Sequence, residues 1–370
     1  QALYNVVDSI FVARVSNDAL TAVSLAYPLQ NMVLAVAVGF GVGANAYIAR
    51  NLGEGNQRNV DRAASMGMVF TTIHAVIFLL IGLLGSEPFL GMFTNDPEIL
   101  RMSSSYTRIV ICLSFGSLYH IYIEKLFQAV GNMFVPMILQ GVGAIVNIVL
   151  DPILIFGLLG LPALGVTGAA VATVAGQIIT AAMGVWYLCH TKALRLGKDD
   201  FKLHGKILAA YLPLGLCSFL AQISLVIAMA ATNNMLVQYG AGSKYGADIP
   251  LTVLGIVVKV FQIIIAITIG MSAGCIPIVG YNYGAEKLDR CRGILWRLMG
   301  AEALLGVIAL LITQLFPLQL ISLFGAESAL YNEFAVITFR VYLCMLPLAT
   351  VNKAAFIFMQ ALGKPAESAG

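Results

Sequence analysis

Asn147 and Asp151 stand four residues apart, so on a helix they share one face, and Gln140 and Ala144 extend that stripe. Pro152 follows at once. Lacking an N–H, it leaves the Ile148 carbonyl without its helical donor and predicts a kink. A carboxylate, an amide oxygen and a freed carbonyl therefore gather within one turn. Hard oxygen ligands of this kind suit a small cation such as Na⁺, and a carboxylate held away from water can carry a proton instead. Asp8 is the second candidate acid, in Tyr4-Asn5-Val-Val-Asp8, and Thr173 with Gln177 makes a similar polar face further along. Hydroxyls and amides in such places serve either a site or the hydrogen-bonded glue between helices. Glu124, beside Lys125, has two readings: a locally paired or snorkelling side chain, or a cavity acid. Lys259 stands between apolar runs as an intramembrane cation, either balancing an acid across a cavity or facing a water-filled space.

The elements that must hold these groups are apolar. Of 370 residues only 21 Lys+Arg and 18 Asp+Glu are charged, 11% against roughly 25% in a soluble globular chain. With 59% hydrophobic residues and a mean hydropathy of +0.89, a single globule could not hide so much apolar surface from water. The expected class is an all-α polytopic membrane protein. A β-barrel would show short segments of alternating polarity, which this chain lacks. Glycine, proline and charge clusters mark ten segments: 1–14, 20–49, 62–85, 103–130, 134–157, 164–189, 207–239, 250–281, 293–316 and 331–361. The run Gly157-Leu-Leu-Gly160-Leu-Pro162-Ala-Leu-Gly165 predicts a tight hairpin between two of them.

Other chemistries find no footing in the sequence. The net charge is +3 with no basic run, so no nucleic-acid partner is expected. Six scattered cysteines and four histidines without ligand spacing predict neither a disulfide frame nor a zinc site, and no cofactor beyond a coupling ion is expected. Gly39-x-Gly41-x-Gly43, inside an apolar run, reads as a close helix contact and not as a phosphate loop.

Lysine and arginine orient the segments. The loops after 20–49, 164–189 and 250–281 hold twelve of them, while the opposite loops hold three, Arg14, Arg101 and Lys244. By the positive-inside rule the N-terminus is cytoplasmic and the chain sits in the cell membrane. A repeat near 231 residues pairs Gly39-x3-Gly43 with Gly270-x3-Gly274, and Asn51-Leu-Gly53 with Asn282-Tyr-Gly284. It also pairs Phe93 with Phe324 and, at 232, Gln128-Ala-Val-Gly131 with Gln360-Ala-Leu-Gly363. Six segments fill one period, so the copies are parallel, two six-helix lobes as in an alternating-access transporter. The expected organisation is an N-lobe over 1–190, a cytoplasmic linker over 191–206 and a C-lobe over 207–370. The period also predicts that this stretch is truncated to about ten helices, the first incomplete and the last two missing. The acids expected at membrane depth, Asp8, Glu124 and Asp151, all fall in the first lobe, and their second-copy counterparts, near Val237 and at Ala355 or Phe356, are apolar.

Several stretches together carry a family resemblance: Tyr4 to Ala13, Ala44-Asn-Ala-Tyr-Ile-Ala-Arg50-Asn-Leu-Gly53, Asn147-Ile-Val-Leu-Asp151-Pro152, Gly165 to Thr173, and Pro277-Ile-Val-Gly-Tyr-Asn282-Tyr-Gly284. The chain resembles the multidrug and toxic compound extrusion (MATE) family over its whole length. That resemblance implies a twelve-helix, two-lobed antiporter that exports organic, often cationic compounds in exchange for Na⁺ or H⁺. In the DinF-like bacterial branch, a first-helix Asp and an Asn and Asp four apart surround an N-lobe cation site, positions that fall here on Asp8, Asn147 and Asp151. A further threonine often joins them, for which Thr173 is the nearest candidate. The NorM-like branch adds acids on the seventh and tenth helices, and this sequence has none there. Two alternatives stand beside the antiporter. A lipid-linked precursor flippase of the same superfamily would want a basic cavity, and an intramembrane aspartyl protease would use a GxGD motif that neither Asp occupies.

Overall fold

A backbone in hydrocarbon has no water to bond to, so long apolar segments become helices that satisfy their own N–H and C=O groups. The computed structural model describes residues 11–12, 14–94, 96–191, 193–194, 205–240, 242–246, 248–322, 328–364 and 367. Its helices are α1 (Asn17–Gly53), α2 (Gln57–Leu90), α3 (Pro97–Cys112), α4 (Phe115–Ala129), α5 (Phe134–Phe156), α6 (Val166–His190), α7 (Gly205–Gly240), α8 (Asp248–Gly284), α9 (Leu288–Leu315), α10 (Pro317–Ser322), α11 (Ala329–Tyr342) and α12 (Leu346–Ala361). Among the described residues seven helices are long and apolar enough to cross a membrane, or nine if the bent pairs α3–α4 and α11–α12 each count as one span. The protein is an all-helical polytopic membrane protein.

Local sequence sets the helix ends. The Ser16 and Asn56 side chains cap α1 and α2 by accepting from the backbone N–H of Ala19 and Asn59, and Asp96 caps α3. The expected hairpin is present: α5 ends at Gly157 in a left-handed conformation (φ 72°), and the N–H groups of Leu164 and Gly165 return to the carbonyls of Leu154 and Ile155 at 3.0 and 3.1 Å.

Two segments expected as single spans are bent. Residues 103–130 break at Leu113–Ser114 by 43° and residues 331–361 break at Leu343–Met345 by 44°. The two breaks occupy matching places in the repeat, as do whole helices. Asn17 to Asp248, and Gln57 to Leu288, are both separations of 231 residues, and α1 and α8 are each 37 residues long.

The match extends to single hydrogen bonds. Asn51 donates to the Tyr47 carbonyl at 2.9 Å and Asn282 to the Ile278 carbonyl at 2.8 Å. After each, the chain turns through one left-handed residue, Gly55 (φ 73°) in the first copy and Glu286 (φ 57°) in the second. Glu286 takes a backbone conformation that costs an L-residue roughly 1–2 kcal/mol.

By internal contacts the chain divides into two compact units, Gln1–Phe219 and Leu220–Gly370, the division falling inside α7. In the first unit, one apolar cluster joins Phe40, Tyr122, Leu126 and Leu139, and another joins Tyr106, Ile155, Val166 and Val174. Gly39 meets α7 as its motif suggested: a Cβ there would stand 2.7 Å from the Gly215 carbonyl oxygen. In the second unit, Val253, Val257, Phe339 and Leu346 form one cluster, and Val279, Leu298, Ala354 and Phe358 another. Lys244, in the α7–α8 connection, donates to Glu333 of α11 at 2.7 Å, and this bond holds its ammonium above the usual lysine range.

Candidate functional site

Helix α5 runs from Leu139, in one apolar cluster of the first unit, to Ile155, in the other. Asn147 and Asp151 lie between the two, 2% and 0% exposed, on the face turned to α6. Small residues allow the helices to meet there. A Cβ on Gly176 of α6 would stand 3.1 Å from the Gly143 carbonyl oxygen and 3.7 Å from the Asn147 Cβ. That close approach brings three expected residues together. The Asn147 amide Nδ2 donates to Asp151 Oδ1 at 3.2 Å and to Thr173 Oγ1 of α6 at 3.4 Å. Asn147 Oδ1, also buried, receives no hydrogen bond among the described residues. A buried amide oxygen in that state is an uncommon feature and is suited to a cation or a proton donor.

Beside this group a narrow cleft opens between α4, α5 and α6. Ser117 and His120 of α4, Gln140 and Asn147 of α5, and Thr173 and Gln177 of α6 supply its polar lining. Gln177, expected on the polar face with Thr173, therefore faces the cleft. No lysine or arginine is among the lining residues.

Glu124 of α4 resolves toward the paired reading. Its Oε1 accepts from Lys125 Nζ at 3.1 Å and Gln128 Nε2 at 2.9 Å, and its Oε2 from Gln140 Nε2 at 2.8 Å. His120 stands 4.0 Å away. Through Gln140 the pair touches the cleft's edge, but its carboxylate oxygens are occupied.

Lys259 lies on an exposed face of α8. It is not the sole cation on an apolar helix, since Lys353 of α12 is half-buried with its Nζ 5.0 Å over the Phe356 ring. Tyr4, Asn5 and Asp8 lie outside the described residues. The expectation that every acid at depth falls in the first lobe needs correction, because Glu302, midway along α9, is 0% exposed. Glu302 stands just before a charge-free run and not inside one, so it reads as a segment's edge. Its place midway along the 293–316 segment was the available signal.

The family model MatE matches residues 1–153 and 218–369, most of the chain. The chain belongs to the MatE family. The resemblance read from the motifs is thereby borne out, and membership leaves no ground for the protease reading. Over 326 residues the chain is 26% identical to the probable multidrug resistance protein YoeA of Bacillus subtilis, covering 84% of this chain and 66% of that protein. Over 369 residues it is 24% identical to the multidrug export protein MepA of Staphylococcus aureus (strain N315), covering 98% and 78%. The chain thus spans about two-thirds to three-quarters of the length of these relatives. Its fold is similar to that of a multidrug resistance MATE family transporter of the MOP superfamily, itself solved in an outward-facing conformation, at TM-score 0.92 with 24% identity, over all of this chain and 80% of that one. A MOP superfamily transporter from Pyrococcus furiosus, described as having a binding pocket of reverse polarity, matches at TM-score 0.90 with 23% identity, over 99% and 80%.

Proposed function

We propose that this protein is an antiporter of the cell membrane that exports organic, cationic compounds by alternating access, in exchange for Na⁺ or H⁺, with its N-terminus in the cytoplasm. The observation that carries the reading is the buried Asn147–Asp151–Thr173 group beside a polar cleft, in a chain of the MatE family. Asp151, with the Asn147 amide and the Thr173 hydroxyl, holds the coupling ion, and Asp8 is the second carboxylate. Such a site couples because the ion and the drug favour different states of the same helices, each shifting the equilibrium by its differential affinity. The excess of basic residues in the loops of one side supports the orientation.

A flippase for a lipid-linked precursor needs cationic groups for a pyrophosphate head. The cleft lining offers amides, hydroxyls and an imidazole instead, and Lys125 near its edge is already paired with Glu124. Small-molecule export is therefore the better fit.

The test is transport of a fluorescent organic cation by the purified protein in proteoliposomes, with Na⁺ and pH gradients imposed separately. One gradient should drive movement, and Asp151→Asn should abolish that drive while the cation still binds. Movement indifferent to both gradients would contradict ion coupling.

A further inference from the structure

Glu302 is a fully buried carboxylate that the first-unit site does not use. It sits midway along α9 and is sealed by two neighbours. On the α8 side, Ser272 Oγ donates to Glu302 Oε1 at 3.1 Å. Thr268, one turn earlier, turns its hydroxyl to the same carboxylate. On the α12 side, Thr350 Oγ1 donates to the Glu302 main-chain carbonyl at 2.9 Å. One turn beyond, Gly306 lets α12 come close, since a Cβ there would stand 2.5 Å from the Pro347 Cα. Oε2 receives no hydrogen bond among the described residues.

The charged groups nearby do not neutralise it. Cys275 of α8 lies near, but a thiol brings no positive charge. On α12 the Lys353 ammonium is turned over Phe356, and on α11 Glu333 is taken up by Lys244 and Tyr245. Helix α10 carries no ionisable side chain. No cation lies within salt-bridge distance of Glu302 among the described residues. An ionised carboxylate at this depth, held by hydroxyls and no cation, is strongly disfavoured, whereas the neutral acid needs only an acceptor for one hydrogen.

We propose that Glu302 is a second, proton-carrying carboxylate of this protein, separate from the Asp151 group and set between α8, α9 and α12. The proton adds to the carboxylate on Oε2, the oxygen without a donor, giving the neutral acid, and leaves from the same atom to water. Losing it creates a charge that the closed packing cannot hold, so release accompanies entry of water between α8 and α9. Protonation thereby biases two packings of one set of helices. The role in a transport cycle rests on the export reading above, but the protonation itself does not.

The test is infrared difference spectroscopy of the purified protein between acid and alkaline buffer. Wild type should show a protonated-carboxyl band in acid buffer that is lost in alkaline buffer. The band should be absent in Glu302→Gln, unchanged in Asp151→Asn and displaced in pH in Ser272→Ala. If Glu302→Gln fails to fold, Ser272→Ala still decides, because only a carboxyl bonded to Ser272 would shift. In proteoliposomes Glu302→Gln should lower pH-driven efflux by at least about fivefold while leaving exchange without a gradient intact. Wild-type and Glu302→Gln spectra with the same titrating bands, or a Ser272→Ala protein titrating as wild type, would overturn the proposal whether or not the protein proves to be an antiporter.

Discussion

Thr71 of α2 and Glu302 of α9 hold the same place in the two copies of the repeat, and so do Gly41 of α1 and Ser272 of α8, both pairs being 231 residues apart. In the first copy the Thr71 hydroxyl simply bonds back to its own helix, to the Gly67 carbonyl at 2.8 Å. In the second copy a carboxylate reaches across to a serine on the next helix. Elsewhere the order reverses: Glu124 and Lys125 pair on α4, and the matching stretch of α12 is apolar at Ala355 and Phe356. Duplication kept what depends on backbone geometry, namely the 37-residue length of α1 and α8, bends of 43° and 44°, and left-handed turns. It did not keep the charges. Each buried charge needs its own partners, and those can be placed in one copy without disturbing the scaffold of the other.

The sharpest way to break this comparison is to remove charge from one unit at a time. Asp151→Asn should reduce gradient-driven efflux by roughly a hundredfold, the upper end of ordinary coupling. Glu302→Thr, which gives the second copy the first copy's residue, should weaken only the response to pH. Equal losses from both would mean that the units are not chemically distinct. Gly176→Leu comes next, because its side chain has no room against the Gly143 carbonyl. It should cost about 1–3 kcal/mol, read as a lowered melting temperature in detergent.

Glu124→Gln should be milder, lowering efflux by no more than about fivefold, since the pair's Lys125 keeps Gln128 as an acceptor at 2.9 Å. The smallest effect concerns the turn. Glu286→Gly makes the second copy's turn like Gly55 in the first, and the relief of strain outweighs the added chain entropy by under about 1 kcal/mol. A fall in melting temperature on that change would mean that Glu286 makes a contact worth more than its backbone strain.

Much of the scaffold was legible because membrane spans and turns are local properties. The Gly157–Gly165 hairpin, the repeat, and the shared face of Asn147 and Asp151 each follow from spacing alone. Spacing gave Thr173 only as a neighbouring polar face, and the family resemblance joined it to Asn147, because their meeting depends on Gly143 and Gly176 packing together. The first bend was not legible, since 113–114 contains no proline or glycine and an apolar run gives no periodic signal at a break between two helices. The second had a signal, because Pro347 in the first turn of α12 has no N–H for the Leu343 carbonyl four residues earlier. Glu302 was missed because burial there comes from Ser272 and Thr350, 30 residues before and 48 after, which no local pattern links. The direction of Lys259 was not legible for the converse reason: apolar flanks say that a helix is buried in lipid or protein, not which way one side chain turns.

The central claim is that ion and drug exclude one another through the Asp151 group. It is tested most directly by adding a saturating organic cation to the purified, ion-loaded protein in weakly buffered detergent and measuring Na⁺ and H⁺ released per drug bound. Wild type should release ion on binding, and Asp151→Asn should bind the drug while releasing less. An Asp151→Asn protein that binds the drug and releases as many ions as wild type would contradict the account.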